Sequence, residues 1–148
     1  MEWLDTLQGE VVGLDTAPLI YFIEEHPTYL GIVRPFFAAM DRGDVSVVTS
    51  TVTLLEALVH PLRLGRTDLA EQYRDILLGA KNLMILHLSQ DIAEEAARLR
   101  PIYSVRTPDA IQMATAIHTG ASSFVTNDAR LPSLPQLAIL TLDSLKAE

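Results

Sequence analysis

The stretch Val11-Val12-Gly13-Leu14-Asp15 decides the fold, because it is an uninterrupted apolar run that ends in an acid. A strand with one face in water alternates apolar and polar residues, whereas a wholly apolar strand is buried on both faces. Residues 16–25 continue with apolar side chains at helical spacing, up to a break at His26-Pro27. The pattern predicts a buried strand followed by a helix, as in the repeating unit of a parallel sheet.

The same succession of apolar strands and helices recurs along the chain. Helices are predicted over about residues 29–40, where Pro35 starts, kinks or splits the helix, and over residues 52–60, up to Pro61. Further helices are predicted from three hydroxyl-bearing N-caps, and further strands at four short apolar runs. The N-caps are Thr67, Ser89 and Thr107, and the strands are residues 45–48, 83–86, 123–126 and 138–140.

This succession predicts an α/β fold. We expect a three-layer sandwich in which a five-stranded parallel sheet is flanked by helices on both faces. The chain shows no linker, internal repeat or low-complexity segment, so residues 1–148 are expected to form a single domain.

Composition narrows the range of functions. The 148 residues include 19 acidic and 11 basic side chains, and the formal net charge is −8. An acidic chain is a poor candidate for non-specific nucleic-acid binding, which depends on Lys and Arg neutralising phosphates. The absence of cysteine excludes disulfides, thiolate metal sites and cysteine nucleophiles, and it fits a reducing cytoplasm. With no leader pattern and no membrane-length apolar run, we expect a cytoplasmic protein that does not enter a membrane.

Four acids stand alone in apolar segments: Asp15, Glu56, Asp109 and Asp128. A carboxylate in such surroundings loses its hydration, which is costly unless a partner, a metal ion or a proton compensates its charge. In a parallel sheet, the acids that follow strands share one edge, and the two helical acids can reach that edge. Four clustered carboxylates would repel one another, and a hard divalent cation such as Mg²⁺ or Mn²⁺ resolves the repulsion. A cation held in this way can activate water for in-line attack on a phosphodiester.

Each of these acids also has a structural explanation. An Asp that follows a strand is often the N-cap of the next helix, and an acid in the first turn of a helix, such as Asp109, is stabilised by the helix dipole. For one acid, this interpretation is the more economical. For all four it requires four separate buried partners, so the joint pattern favours a site.

At these residues the sequence resembles the PIN-domain nucleases, and most closely the VapC-type toxins of toxin–antitoxin pairs. The resemblance spans about residues 11–143 and rests on segments 12–20, 49–56, 107–116 and 124–128. It implies a PIN-like five-stranded parallel sheet and cleavage of RNA with Mg²⁺ or Mn²⁺, leaving a 5′-phosphate and a 3′-hydroxyl. It also implies homodimerisation and inhibition by a cognate antitoxin protein. Carried over residue by residue, it implies that the catalytic, metal-binding acids are Asp15, Glu56, Asp109 and Asp128.

Four neighbours of the acids are candidate substrate contacts: Thr16, Arg106, Asn127 and Arg130. The two arginines flank the acids and suit phosphate binding, although surface salt bridges explain them as well. Thr16 can bond the acids or a phosphate, or it can satisfy the helix backbone. Asn127 can offer an amide ligand or orient a water molecule, but it is equally a turn former.

Two other functions deserve comparison with a metal-dependent ribonuclease. A catalytically silent PIN scaffold would bind RNA or a partner protein without cutting, and the presence of all four acids argues against it. A phosphatase of the haloacid-dehalogenase type also begins with a strand that ends in Asp, but it needs a second Asp where this chain has Ala17. We therefore predict a metal-dependent ribonuclease whose affinity for RNA is weak and depends on the metal.

Overall fold

The computed structural model of the chain describes residues 1–146 and contains one parallel sheet of five strands. Their order across the sheet is β3-β2-β1-β4-β5, and all four neighbouring pairs are parallel. All five predicted strands are confirmed, and their observed boundaries differ from the predicted ones by at most two residues. They are β1 (Val11–Leu14), β2 (Ser46–Ser50), β3 (Leu83–Leu86), β4 (Ser123–Thr126) and β5 (Ala138–Thr141).

Helices connect the strands, and residues 1–146 contain eight. They are α1 (Glu2–Thr6), α2 (Thr16–Ile23), α3 (Leu30–Arg42), α4 (Thr51–Arg63), α5 (Thr67–Gly79), α6 (Gln90–Tyr103), α7 (Thr107–His118) and α8 (Leu142–Leu145). Two of them, α1 and α8, were not predicted, because helices of one turn are too short to show a period. None of the helices in this part of the chain has both the length and the apolar character that a bilayer crossing needs.

The predicted helix boundaries differ from the observed ones by one to three residues; α2 ends at Ile23, and α3 runs from Leu30 to Arg42 with Pro35 inside it. Helix α4 continues through Pro61 to Arg63, because the proline is buried and only the last turn lacks its N–H donor. Helices α5 and α7 begin one residue earlier than predicted: their first hydrogen bonds run from Ala70 N–H to the Arg66 carbonyl and from Ala110 N–H to the Arg106 carbonyl. The N-caps are therefore arginines, and neither uses its side chain as a cap. Ser89, in contrast, is the N-cap of α6 as predicted and accepts from Ile92 N–H.

Apolar side chains cover both faces of the sheet. On one face, Val12, Leu14 and Val47 belong to a core that extends into α2, α3, α4 and α5. On the other, Val48 and Phe124 pack with the buried residues of α6 and α7. The predicted three-layer sandwich is confirmed, and it explains why the strands are apolar at successive positions.

Helix α7 lies unusually close to the centre of the sheet. A Cβ atom at Gly13 of β1 would stand 2.7 Å from the Ala116 Cβ and 2.8 Å from the Phe124 Cδ1, so only glycine permits this approach. Since α7 precedes β4 in a parallel sheet, it runs against the strand direction. Its N-terminus, with Asp109, therefore lies at the carboxyl edge of the sheet.

Candidate active site

The four predicted acids come from four elements that meet at the carboxyl edge. Asp15 directly follows β1 and is the N-cap of α2, and Asp128 lies two residues beyond β4. Glu56 lies in the second turn of α4, and Asp109 in the first turn of α7. Glu56 and Asp109 are close enough to Asp15 for their negative charges to raise its pKa.

Asp15 is the most constrained of the four. Its Oδ1 accepts from Thr16 N–H at 2.9 Å, and its Oδ2 accepts from the Thr126 hydroxyl at 2.7 Å. Burial raises the pKa of Asp15 above its ordinary value, the repulsion from Asp109 and Glu56 adds to this, and the two hydrogen bonds oppose it. Asp15 thus serves as a helix cap and also as the desolvated centre of an acidic group.

Glu56 is an exposed side chain with a specific partner. The Thr16 hydroxyl donates to Glu56 Oε1 at 2.6 Å, and the same hydroxyl oxygen lies 3.1 Å from Thr53 Oγ1. Of the two roles predicted for Thr16, the structure shows the contact with an acid. The hydrogen bond joins the start of α2 to α4 and fixes one oxygen of the Glu56 carboxylate.

A buried polar network lies next to Glu56 and was not predicted from the sequence. Gln112 of α7 is 3% exposed, donates to Thr53 Oγ1 at 2.6 Å and accepts from the Ser50 hydroxyl at 2.7 Å. Thr49 completes the network, with its Oγ1 2.8 Å from Thr53 Oγ1. An amide alone in the apolar stretch 110–114 is the one signal in the sequence that points to this network.

Asp128 is paired with an arginine two residues further along the chain. Arg130 reaches it with Nε 3.0 Å from Oδ1 and Nη2 3.0 Å from Oδ2, and Arg130 N–H donates to the same Oδ1 at 2.9 Å. This guanidinium holds the pKa of Asp128 below its usual range. The pair places the carboxylate of Asp128 against a cationic side chain that is 78% exposed.

Asp109 has a similar but looser partner. Arg106 Nε stands 3.3 Å from Asp109 Oδ2, and the arginine side chain is 71% exposed. Both ion pairs line one recess of about 130 Å³. The two arginines predicted to contact phosphate therefore lie together beside two of the acids.

The side chain of Asn127 contacts a tyrosine. Its Nδ2 donates to the Tyr21 hydroxyl at 2.8 Å, and its Oδ1 is buried without a hydrogen-bond partner in residues 1–146. The Tyr21 ring in turn stacks on Tyr29, with centroids 4.9 Å apart. Asn127 thus joins the end of β4 to an aromatic pair, a connection that its place in the sequence did not reveal.

The chemistry of the donors fits a hard divalent cation. All four side chains offer carboxylate oxygens, and the repulsion that acts on Asp15 is one that a cation would relieve. As they stand in residues 1–146, however, no three acidic or histidine side chains are arranged to hold one ion together. Asp109 and Asp128 are instead engaged by Arg106 and Arg130, and a cation that bound these two acids would displace the guanidinium groups.

This domain is an α/β domain with a five-stranded parallel sheet in the order β3-β2-β1-β4-β5. Acids from four segments lie at the carboxyl edge of the sheet. The family model of the PIN domain matches residues 12–137, a range that includes all four acids. The chain belongs to the PIN domain family, which confirms the resemblance seen in the sequence. No curated protein sequence matches the chain.

Solved structures share this fold. One is a VapBC2 complex from Rickettsia felis bound to a DNA fragment of its promoter, at 19% identity and a TM-score of 0.71, with 88% of this chain and 98% of that chain covered. A second is VapC20 from Mycobacterium tuberculosis, a toxin that cleaves the sarcin–ricin loop, at 17% identity and a TM-score of 0.62, covering 77% and 86% of the two chains. A third is VapBC-5 from Mycobacterium tuberculosis, at 26% identity and a TM-score of 0.56, covering 88% and 98%.

Proposed function

We propose that this protein is a ribonuclease that hydrolyses RNA phosphodiester bonds with Mg²⁺ or Mn²⁺, and that it is the toxin of a toxin–antitoxin pair. The observation that carries the proposal is the convergence of Asp15, Glu56, Asp109 and Asp128 on one edge of a PIN domain. The raised pKa of Asp15, which reflects its burial and the nearby negative charges, supports a role in binding a cation.

In this proposal, Asp15, Glu56, Asp109 and Asp128 are the metal-binding and catalytic residues. A bound cation would supply an activated water and neutralise charge on the phosphodiester. Arg106 and Arg130 contact phosphate oxygens once they are released from their acids, since a guanidinium group suits two-point binding of phosphate. Thr16 holds Glu56 in place, and Asn127 remains a predicted substrate contact beside Asp128.

A protein partner is part of the proposal. Two of the similar structures are VapBC2 and VapBC-5, the second a member of the VapBC family of toxin–antitoxin systems, which supports a cognate antitoxin. Leu55, Val59 and Leu62 follow one face of α4 and are 64%, 40% and 53% exposed, as expected for a surface that another protein covers. We also propose a homodimer and a location in the cytoplasm.

Cleavage of RNA by purified protein tests the proposal. We expect cleavage with Mg²⁺ or Mn²⁺, none in excess chelator, and products that carry a 5′-phosphate. Asp15→Asn should abolish cleavage, because it removes a charge from the cation site. Asp41→Asn is the matched control, since Asp41 is an exposed acid in the last turn of α3, at the opposite edge of the sheet. Equal cleavage by Asp15→Asn and the wild type would contradict the assignment.

The arginine pairs favour a second candidate, a PIN scaffold that binds RNA or a protein without cutting. Such a scaffold would keep Asp109 and Asp128 permanently occupied by Arg106 and Arg130. Calorimetric titration with Mn²⁺ separates the two: a nuclease shows saturable binding, and a silent scaffold shows none at millimolar metal.

A further inference from the structure

A series of hydrogen-bond contacts links Gln112 to Glu56 through Thr53 and Thr16. The Ser50 oxygen accepts from Val52 N–H at 3.1 Å, which leaves the Ser50 hydroxyl proton for Gln112 Oε1 at 2.7 Å. With its carbonyl directed at Ser50, the Gln112 amide directs its NH₂ group at Thr53 Oγ1, 2.6 Å away. Two contacts therefore fix the orientation of the amide, and Thr53 accepts from it.

The remaining protons of the network follow from this orientation. The Thr49 hydroxyl donates to the Leu14 carbonyl at 2.8 Å, and the Thr16 hydroxyl donates to Glu56 Oε1 at 2.6 Å. Thr53 Oγ1 lies 2.8 Å from Thr49 Oγ1 and 3.1 Å from Thr16 Oγ1. Because the other two threonines have already used their protons, Thr53 must be the donor, and its single proton is shared between these two contacts.

We propose that Gln112 is a positioning residue: by donating to Thr53 it keeps Thr53 a donor, and so leaves the Thr16 hydroxyl free to hold Glu56. Glu56 is an exposed side chain that would otherwise sample several rotamers, and ordering it in advance lowers the entropic cost of binding a cation. The inference rests on the proposed function, in which Glu56 is a metal ligand.

The sharpest test reverses the direction of the hydrogen bonds that link Gln112, Thr53 and Thr16. Gln112→Glu keeps the size of the side chain, and its ionised form replaces the NH₂ donor with an acceptor, so Thr53 turns its proton to residue 112 and becomes an acceptor for Thr16. Glu56 then loses its partner. Because burial favours the protonated form, the variant is measured at alkaline pH beside the wild type. Thr53→Val adds no charge and removes the donor that orients the Thr16 hydroxyl, so Thr16 no longer holds Glu56 in one position. This variant decides the question if Gln112→Glu fails to fold.

Two further variants serve as controls. Thr53→Ser keeps the hydroxyl and should retain the kcat and the Mn²⁺ affinity of the wild type. Thr115→Val removes a hydroxyl from a buried helical threonine whose one side-chain hydrogen bond within residues 1–146 goes to the Ile111 carbonyl of its own helix, at 2.7 Å. It therefore reports the cost of the exchange and leaves the network of Gln112, Thr53 and Thr16 intact.

We expect Gln112→Glu and Thr53→Val to lower kcat and the calorimetric affinity for Mn²⁺ by about 10- to 100-fold, as loss of a partner behind a metal ligand does. KM for RNA should stay unchanged, since neither residue reaches the surface. Thr53→Ser and Thr115→Val should resemble the wild type.

The possible failures are distinguishable. A wild-type protein that neither cleaves RNA nor binds Mn²⁺ overturns the proposed function, and this inference with it. Cleavage by the wild type, together with wild-type kcat and Mn²⁺ affinity in folded Thr53→Val, overturns the role of Gln112 alone. A loss of activity in Thr115→Val as large as in Thr53→Val also overturns it, because the effect would then be one of packing.

Discussion

The guanidinium group of Arg130 forms a two-point ion pair with Asp128, with Nε 3.0 Å from Oδ1 and Nη2 3.0 Å from Oδ2. The pair lowers the pKa of Asp128, so the carboxylate is ionised at neutral pH. It also occupies both oxygens that a cation would use. In the proposed site, Arg130 and the metal ion are competitors for one ligand.

Arg130→Gln should therefore bind Mn²⁺ more tightly than the wild type. An exposed ion pair contributes about 0.2–1 kcal/mol, which corresponds to roughly a 1.5- to 5-fold gain in affinity, measured by calorimetry. KM for RNA should rise in the same variant, because a phosphate contact is lost. Arg98→Gln is the matched control, since Arg98 contacts Glu95 through the same two nitrogens on α6. Weaker Mn²⁺ binding by Arg130→Gln would show that the arginine supports the site.

Asp15→Asn should unfold at a higher temperature than the wild type at pH 7 in chelator. The substitution removes a buried charge and its repulsion with Asp109 and Glu56, and the Thr126 hydroxyl can turn to accept from the new amide. Each kcal/mol gained raises Tm by roughly 2–4 °C in a domain of this size. Saturating Mn²⁺ should stabilise the wild type and leave the variant unchanged. A variant less stable than the wild type without metal would contradict this.

The advantage of Asp15→Asn should depend on pH with a defined sign. The pKa of Asp15 is higher in the folded protein than its ordinary value of 3.8, so the folded state binds the proton more tightly than the unfolded chain. The ionised carboxylate destabilises the fold fully above the raised pKa, and the effect is lost as the pH falls to 3.8. Denaturant unfolding of both proteins between pH 3.5 and 7, in chelator, measures the difference in free energy. A difference that grows as the pH falls would contradict the burial of this acid.

Gly13→Ala should destabilise the fold and displace α7. The new Cβ would stand 2.7 Å from the Ala116 Cβ and 2.8 Å from the Phe124 ring, and overpacking of this kind costs about 1–3 kcal/mol. Cleavage should fall as well, because Asp109 moves with α7. Gly31→Ala in α3 is the control with the opposite sign: a Cβ there meets nothing within 4 Å, and alanine stabilises a helix by roughly 0.5–1 kcal/mol relative to glycine. Urea unfolding measures both.

RNA binding in chelator should be weak. With a net charge of −8 and both candidate arginines engaged by acids, we expect a Kd weaker than about 10⁻⁴ M near physiological salt. Fluorescence anisotropy with a short RNA measures it, and Mn²⁺ added at low temperature, where cleavage is slow, should tighten binding. A submicromolar Kd in chelator would mean that a basic surface, rather than the metal, recruits RNA.

Local patterns account for most of the fold. Strands such as Val11–Leu14 are apolar at successive positions because both faces are covered, and this alone indicates a parallel sheet between two layers of helices. The errors fall at helix ends and at the one-turn helices α1 and α8. Pro61 lies inside α4 because burial in the core outweighs the intrinsic preference of proline, and a local rule takes no account of burial.

The four acids could be chosen from the sequence, since an isolated carboxylate in an apolar segment is costly unless it has a purpose. Their partners could not. Thr53 and Gln112 are 59 positions apart in the chain, and Asn127 and Tyr21 are 106 apart, so no local pattern joins them. The ion pair between Asp128 and Arg130 was one of the alternatives that the sequence left open, because a flanking arginine can also be solvated or bind phosphate.

By itself, the sequence determined the class of fold and singled out the four candidate acids, because periodicity and the cost of burying charge are properties of short segments. Only the tertiary structure decided what each acid contacts. The crossing of α7 over Gly13 brings Gln112 to Thr53, and the pairing of β1 with β4 brings Thr126 to Asp15. Such contacts depend on how distant elements pack against one another, which the order of residues within any one element does not encode.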